Sequence, residues 1–539
     1  MTDHKFLGLS DEEVLALLTC GNCGSTEHTH CSGVVQPATS FAAAFDAALG
    51  GEPDKAKLID LGYDKAEAAV LANRELREAR KPLVLEEDPA PSEPYTELGH
   101  ARRLVAAYGD ELRYIPVWKK WMVWDGARWE LDTTGRTQRR AKAVARGALE
   151  WAQEVDEDDG GKAIVSAAKR LESSRGVAGI LSLAGTEKLI ALDPSALDAD
   201  SYLLNCANGV LDLRTGELLP PDPMLHLTKV TKAAFRADAE APEFRKFLER
   251  ILPDEPVRAF VQRLLGYSLL GLVQEHILAV FYGVGANGKG TLLGSVDYVL
   301  GDYAVTPDPE LLAERSGNFH PTSSASLFGA RLAVIQEFDE GRRLAEGTVK
   351  RLTGGDPIAA RRMREDFWEF DPSHTFIMAS NYRPVVRGAD EGIWRRLRLV
   401  PFDVVIPAAE RDGELPQRLR LEADGILTWL VEGYAFWQVN GLDEPDAVTK
   451  ATKEYRDDSD ALARFLASRC TTAGFVSVNA TQLYTAWTRW CTSEGIESGS
   501  QTAFSNALVQ RGFDKVKSHG SMTFKGIGLL VESETPDLH

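Results

Sequence analysis

From about residue 276 the chain alternates short apolar runs with helix-like stretches, the pattern of a parallel sheet whose strands are covered on both faces. Four such runs predict strands near 277–283, 331–337, 374–380 and 396–402. Upstream the pattern is antiparallel. In "YIPVWKKWMVWDGARWELD" two runs rich in tryptophan and β-branched residues flank Asp125-Gly126, and "NCANGVLDLRTGELLP" predicts a second hairpin with turns at Asn208-Gly209 and Thr215-Gly216. Trp118, Trp121, Trp124 and Trp129 read as packing residues of the first hairpin. Near the N-terminus, "FAAAFDAALG" and "AEAAVLANRELREARK" carry helical patterns, and the acidic, proline-rich "VLEEDPAPSEP" at 84–94 reads as a linker. After about residue 456 the order is helix, short strand "FVSV", helix "TQLYTAWTRWCTSE", helix "QTAFSNALVQRG" and a strand pair around "KSHGSMTFKG", which predicts a winged helix.

Composition narrows the class. At 539 residues the chain is too long for one core and predicts several domains. The longest apolar region is interrupted by Gln274, Glu275 and His276, so no membrane span is expected, and the N-terminus shows no basic segment followed by an apolar one. Six scattered cysteines do not make a disulfide framework, and a cytoplasmic protein is expected, with Cys206, Cys470 and Cys491 in cores. A net charge of −19 argues against a surface that coats nucleic acid throughout. The charge is segregated, however. Residues 1–100 hold 8 Lys and Arg against 18 Asp and Glu, whereas 341–402 hold 12 against 8.

The candidate chemistry starts at the first predicted strand. "FYGVGANGKGT" satisfies G-x-x-x-x-G-K from Gly283 to Lys289 between a strand and a helix, with Gly285, Asn287, Gly288, Gly290 and Thr291 completing the loop. Backbone N–H groups and a helix N-terminus favour phosphate there, and Lys289 adds a full charge. Gly290 stands where such loops usually carry the hydroxyl that reaches magnesium. Thr291 follows at once, so the sequence predicts Mg²⁺ held mainly by phosphates and water, with Thr291 and Glu337 as the nearby protein oxygens. Glu337 ends the apolar run of "RLAVIQEFDEG", where a carboxylate holds magnesium through water and polarises the attacking water, with Asp339 and Glu340 as helpers or surface acids. Asn381 ends "HTFIMASN" and is placed to sense the γ-phosphate.

The blocks "GANGKGT", "EFDEG", "VKRLTGGDPIAARRMREDFWEF", "ASNYRP" and "GIWRRLRLVPF", in this order, resemble the superfamily 3 helicases, in the phage and plasmid branch related to the poxvirus primase-helicase. The likeness extends upstream to about residue 98. It implies an AAA+ type ATPase of α/β class, assembled as a homo-oligomeric ring, usually a hexamer, that uses ATP and Mg²⁺ to move 3′ to 5′ on single-stranded or forked DNA. Within that likeness Lys289, Glu337 and Asn381 match the site residues, and Arg395 or Arg396 falls near the arginines that act on a neighbour's ATP. Lys350, Arg361, Arg362 and Arg364 fall where the family projects a hairpin into the ring channel, placed to follow phosphates without reading sequence. The implied organisation is an acidic N-terminal region with linker (1–97), a helicase-associated α+β domain (98–240), the ATPase core (241–405), a helical connection (406–455) and the winged-helix unit (456–539).

Three further expectations sit beside this reading. Cys20, Cys23, His28 or His30, and Cys31 in "CGNCGSTEHTHC" offer thiolate and imidazole ligands for a structural Zn²⁺. Asp198 and Asp200 have the spacing of paired metal-binding carboxylates but read as a turn, so no primer synthesis is expected, and any primase or polymerase is a separate partner. Lys515 and Lys517 lie on the predicted wing, beside a recognition helix at 501–511, as DNA contacts. The alternatives are an ATP-assembled DNA-binding initiator that unwinds little, and a nucleotide kinase, whose loop shares the "GKGT" ending but opens a much shorter chain.

Overall fold

The computed structural model describes residues 96–154, 159–314, 321–361, 366–386, 391–518 and 521–530. The zinc expectation at Cys20, Cys23, His28 and Cys31, and with it the whole acidic N-terminal segment to residue 95, lies outside these residues.

The first unit packs helices α1 (Glu97–Tyr108), α2 (Arg136–Glu154), α3 (Asp159–Leu171) and α4 (Ser174–Ala184) with the antiparallel strands β1 (Leu112–Ile115), β2 (Lys120–Trp124) and β3 (Trp129–Leu131). Trp118 and Trp129 are buried and Trp121 and Trp124 half-buried, so all four pack as expected. The hairpin lies where Asp125-Gly126 predicts it. Trp124 pairs with Trp129 across a four-residue connection in which Asp125 Oδ1 accepts the N–H groups of Ala127 and Arg128, each at 2.8 Å.

A second three-stranded sheet comprises β4 (Leu203–Cys206), β5 (Gly209–Asp212) and β6 (Glu217–Leu219). Here the turn differs from the expected Asn208-Gly209. Cys206 pairs with Gly209, so Ala207 and Asn208 form the turn and Gly209 already belongs to the strand. Gly209 is required by close approach, since a Cβ there would lie 2.6 Å from Leu219 O. Asn208 serves the fold instead: its Nδ2 donates to Phe235 O and its Oδ1 accepts from Phe235 N, both at 2.8 Å. Asp198 and Asp200 are likewise structural. Asp198 accepts from Thr228 N (2.7 Å) and Thr228 Oγ1, and Asp200 pairs with Arg214 at 3.0 Å.

The central sheet has the order β13-β7-β12-β9-β8, all parallel: β7 (Leu278–Tyr282), β8 (Ala304–Val305), β9 (Leu332–Gln336), β12 (Thr375–Ser380) and β13 (Leu397–Pro401). Four strands fall within a residue or two of the sequence expectation. The two-residue β8 is too short to leave a periodic signal. Alternation along each strand divides the core: Ala279, Phe281, Val334, Ile377 and Val400 face one hydrophobic cluster, and Leu278, Val280, Ile335, Met378 and Leu399 face the other. Helices α5 (Pro242–Ile251), α6 (Glu255–Tyr267) and α7 (Lys289–Leu300) fill the first cluster, joined later in the chain by α10 (Leu415–Leu421) and α11 (Ala423–Asn440). The other face carries α8 (Glu346–Leu352), the antiparallel pair β10 (Ile358–Ala360) and β11 (Trp368–Phe370), and α9 (Glu391–Trp394).

Helix α12 (Asp446–Ser459) runs along β13 into the last unit. That unit follows the expected order: α13 (Ala461–Arg469), β14 (Cys470–Asn479), α14 (Ala480–Ser493), α15 (Gln501–Gln510), and a hairpin of β15 (Lys515–Ser518) and β16 (Ser521–Leu529) that pairs with β14. It has its own aromatic core around Phe465, Trp487, Trp490 and Phe504.

Candidate functional site

The loop after β7 is shaped by two glycines. Gly288 caps α7 at φ +84°, and a Cβ there would lie 2.5 Å from Ile251 Cγ2. A Cβ on Gly283 would lie 2.2 Å from Phe402 O, so only glycine lets the chain turn this close beneath the segment that follows β13. At Gly285 and Gly290 an added Cβ would meet no atom within 4 Å. Those two positions face open space above the loop. The same segment clamps the loop from below: Asn287 is buried with Nδ2 donating to Phe402 O (3.2 Å), and Ile406 N donates to Ala286 O (2.8 Å).

Lys289 opens α7 and folds back over the loop. Its buried Nζ donates to Gly283 O at 2.6 Å and to Asn381 Oδ1 at 3.3 Å. Burial pushes its pKa down to about 8. Among the described residues the ammonium therefore has a carbonyl and an amide oxygen as partners and no carboxylate.

Register places the remaining residues around it. Tyr282 pairs with Ser380 and Gln336 with Ala379, so Gly283, Asn381 and Glu337 leave three adjacent strands at one edge of the sheet. Glu337 is exposed and takes φ +58°, a left-handed conformation uncommon for a residue other than glycine. Such strain is retained where it aims a side chain. Thr291 is half-buried in the first turn of α7, while Asp339 lies 3.9 Å from Arg342 and Glu340 is exposed.

The two candidate arginines lie at the opposite edge. Leu397 pairs with Leu278, so Arg395 and Arg396 sit where β13 begins, one strand length of about 17 Å from the loop. The side chain of Arg395 is exposed and makes no hydrogen bond or ion pair with the described residues, whereas Arg396 is half-buried and donates from Nη1 to Gly392 O (2.9 Å).

The basic block forms the β10–β11 hairpin. Arg361 lies over the ring of Phe367 at 4.8 Å, and Phe367, directly before β11, is 58% exposed. Arg362 and Arg364 fall outside the described residues, and Lys350 is half-buried on the last turn of α8. In the final unit Lys515 and Lys517 are exposed on β15, with Lys515 Nζ 5.7 Å from the Phe524 ring. Among the described residues no cluster of three or more His, Cys, Asp or Glu is placed to hold a metal. No helix among them is long and apolar enough to cross a membrane.

One residue escapes the sequence reading. Arg383, two positions past Asn381, sits over Tyr282 (5.2 Å) just before the loop and donates to Asp458 Oδ2 at 2.8 Å. Its partner lies 75 positions away, so no local spacing marks it.

Comparison with known proteins adds relatives. Residues 101–253 match a family described as D5 N terminal like, and residues 281–396, which span the loop, Glu337, Asn381 and both arginines, match a family of unknown function, DUF5906. The chain is 30% identical over 304 residues to the putative helicase L207/L206 of Acanthamoeba polyphaga mimivirus, covering 51% of this chain and 32% of that protein. It is 24% identical over 322 residues to the putative primase C962R of African swine fever virus, covering 54% and 34%. A solved structure, the A form apo structure of NrS-1 C terminal region, aligns at 12% identity with a TM-score of 0.44 over 81% of this chain and all of that one. The matched part spans about a third of the length of the curated viral relatives. By these matches the chain is similar to viral putative helicases and primases, with a D5 N-terminal-like match over residues 101–253.

Proposed function

We propose that this chain is an ATP-driven replicative helicase of a phage or related element, a superfamily 3 motor of AAA+ type that moves 3′ to 5′ on single-stranded DNA as a hexameric ring. The observation that carries the reading is Lys289: a buried ammonium without a countercharge among the described residues, at the end of a loop whose Gly285 and Gly290 face open space. A phosphate chain supplies that countercharge.

Magnesium ATP brings the phosphoanhydride bond whose cleavage drives movement. Lys289 exchanges Gly283 O for phosphate oxygens, and Thr291 would offer magnesium the hydroxyl that Gly290 lacks. Glu337 holds and polarises the attacking water, and Asn381, released from Lys289, orients it. Arg395 lies too far from its own loop to take part there. It is the better finger for a neighbouring subunit, because its charge is unspent while Arg396 is held by Gly392 O.

Phe367 beside Arg361 suits a tip that stacks on bases and follows phosphates, with Lys350, Arg362 and Arg364 adding charge. The helix order and basic hairpin of residues 461–530 support a winged helix that touches duplex or forked DNA through Lys515 and Lys517. A cytoplasmic site of action, a separate primase or polymerase partner, and a zinc-bound Cys20, Cys23, His28 and Cys31 cluster complete the reading.

The test is steady-state ATPase activity with and without single-stranded DNA, for the parent chain and Lys289→Ala. DNA-stimulated turnover that disappears in the variant is expected. Turnover indifferent to DNA removes the motor reading and leaves the initiator.

A further inference from the structure

A single helix, α12, touches β13, α9 and the turn after Asn381. Leu399 N of β13 donates to Thr452 Oγ1 of α12 at 2.9 Å, and Arg456 pairs with Glu391 at the start of α9. One turn along, Tyr455 is buried edge-on to Trp394 (5.1 Å), the residue before Arg395, and donates its hydroxyl to Pro384 O. Arg383 lies between the rings of Tyr282 (5.2 Å) and Tyr455 (5.9 Å) and bonds Asp458. The Arg383 Nε is buried and has no hydrogen-bond partner among the described residues.

The outer end of α12 is fixed to the last unit as firmly. Asp460 caps α13 by accepting Ala463 N (2.9 Å), and both its oxygens accept from Arg511, the residue that ends α15. A second strut comes from the loop after Glu337. Arg343 donates to Glu497 Oε2 at 2.8 Å, and its neighbours pair with Val385, with Leu344 N donating to Val385 O (3.0 Å) and Val385 N to Arg342 O (2.8 Å). The turns after β9 and β12 are thus zipped together, the first reaching the C-terminal unit through Glu497 and the second reaching α12 through Asp458 and Tyr455.

We infer that α12 transmits the occupancy of the phosphate loop to the C-terminal unit, with Arg383 and Tyr455 as the positioning residues that join the Asn381 turn to the helix. When Lys289 leaves Asn381 for a phosphate, the turn carrying Asn381, Arg383 and Pro384 is freed to shift. Any shift pulls on Asp458 and Tyr455, then through Asp460 on Arg511, and so reorients α15. The nucleotide state thereby sets how the C-terminal unit presents its basic hairpin to duplex DNA. This rests on the nucleotide reading of the loop, and the test separates the two.

Hydrogen exchange is followed on the full chain with and without a non-hydrolysable ATP analogue, for the parent, Asp458→Asn and Tyr455→Phe. Asp458 is 68% exposed and Tyr455→Phe removes one hydroxyl, so both variants fold. In the parent, the analogue slows exchange in peptides across 281–293 and changes it in peptides across 461–470 and 501–511. Both variants keep the first effect and lose the second by about fivefold or more, the low end of ordinary coupling between sites. Equal responses of the C-terminal peptides in parent and variants overturn the inference alone, as does a parent whose loop is protected while its C-terminal peptides stay unchanged. A parent with no protection at 281–293 removes the nucleotide reading and the inference together.

Discussion

Gly290 is the position at which the loop departs from its usual pattern, and the structure makes the consequence of restoring a hydroxyl calculable. A Cβ there meets no protein atom within 4 Å, and the residue lies in the first turn of Lys289–Leu300 without a positive φ. Gly290→Ser therefore carries no steric cost and gains roughly 0.5 kcal/mol of helix propensity. If α7 presents this position to the metal, the serine hydroxyl replaces one bound water and improves magnesium binding by about 1 kcal/mol, roughly fivefold in half-saturation. The assay is ATP hydrolysis titrated with Mg²⁺ at fixed ATP, with Gly290→Ala as the variant that adds the Cβ alone. Both variants should melt at or above the parent, and only the serine should lower the magnesium requirement. Identical magnesium curves for serine and alanine refute the placement of residue 290 toward the metal. A lowered melting temperature in either refutes the steric argument itself.

The other glycines and charges of the site give contrasting outcomes. Gly288→Ala should lose about 2–4 kcal/mol in denaturant unfolding, from a left-handed alanine and the overlap with Ile251, whereas Gly285→Ala should unfold as the parent does. Because burial holds Lys289 near 8 in the nucleotide-free chain, below its ordinary value, the unfolded chain binds the extra proton between those two values. Stability without nucleotide should therefore rise with pH above 8, while nucleotide affinity, which needs the ammonium, should fall by up to about tenfold per pH unit in equilibrium titrations. A flat affinity profile from pH 7 to 9.5 would contradict this, and Lys289→Arg should abolish the dependence. Arg395→Ala should leave melting within about 0.5 kcal/mol yet cut hydrolysis by about a thousandfold, and mixing it with Lys289→Ala chains should recover activity if the arginine serves a neighbour.

Why the parallel-sheet core was legible in the sequence and the connections were not follows from the range of the interactions involved. Strands β7, β9 and β12 are buried on both faces and read as apolar runs, and the functional groups leave at the run's end, where register on adjacent strands brings Gly283, Asn381 and Glu337 to one edge. A reading one strand at a time finds these residues because each marks its own strand's end. It cannot find that Lys289 is bonded to Asn381, since that contact joins residues 92 positions apart, nor that Arg395 lies just before β13 at the far edge. The Asn208-Gly209 turn failed for a related reason. The pair carries the local signal, but Asn208 is committed to Phe235 and Gly209 to the close approach of β6, so tertiary contacts moved the turn back by one residue. Arg383 is the extreme case, flanked by residues the sequence does mark yet defined wholly by Tyr282, Tyr455 and Asp458. What sequence leaves dark here is the coupling between sites, because coupling consists of contacts between elements and each of its residues, taken alone, looks like an ordinary surface charge or core ring.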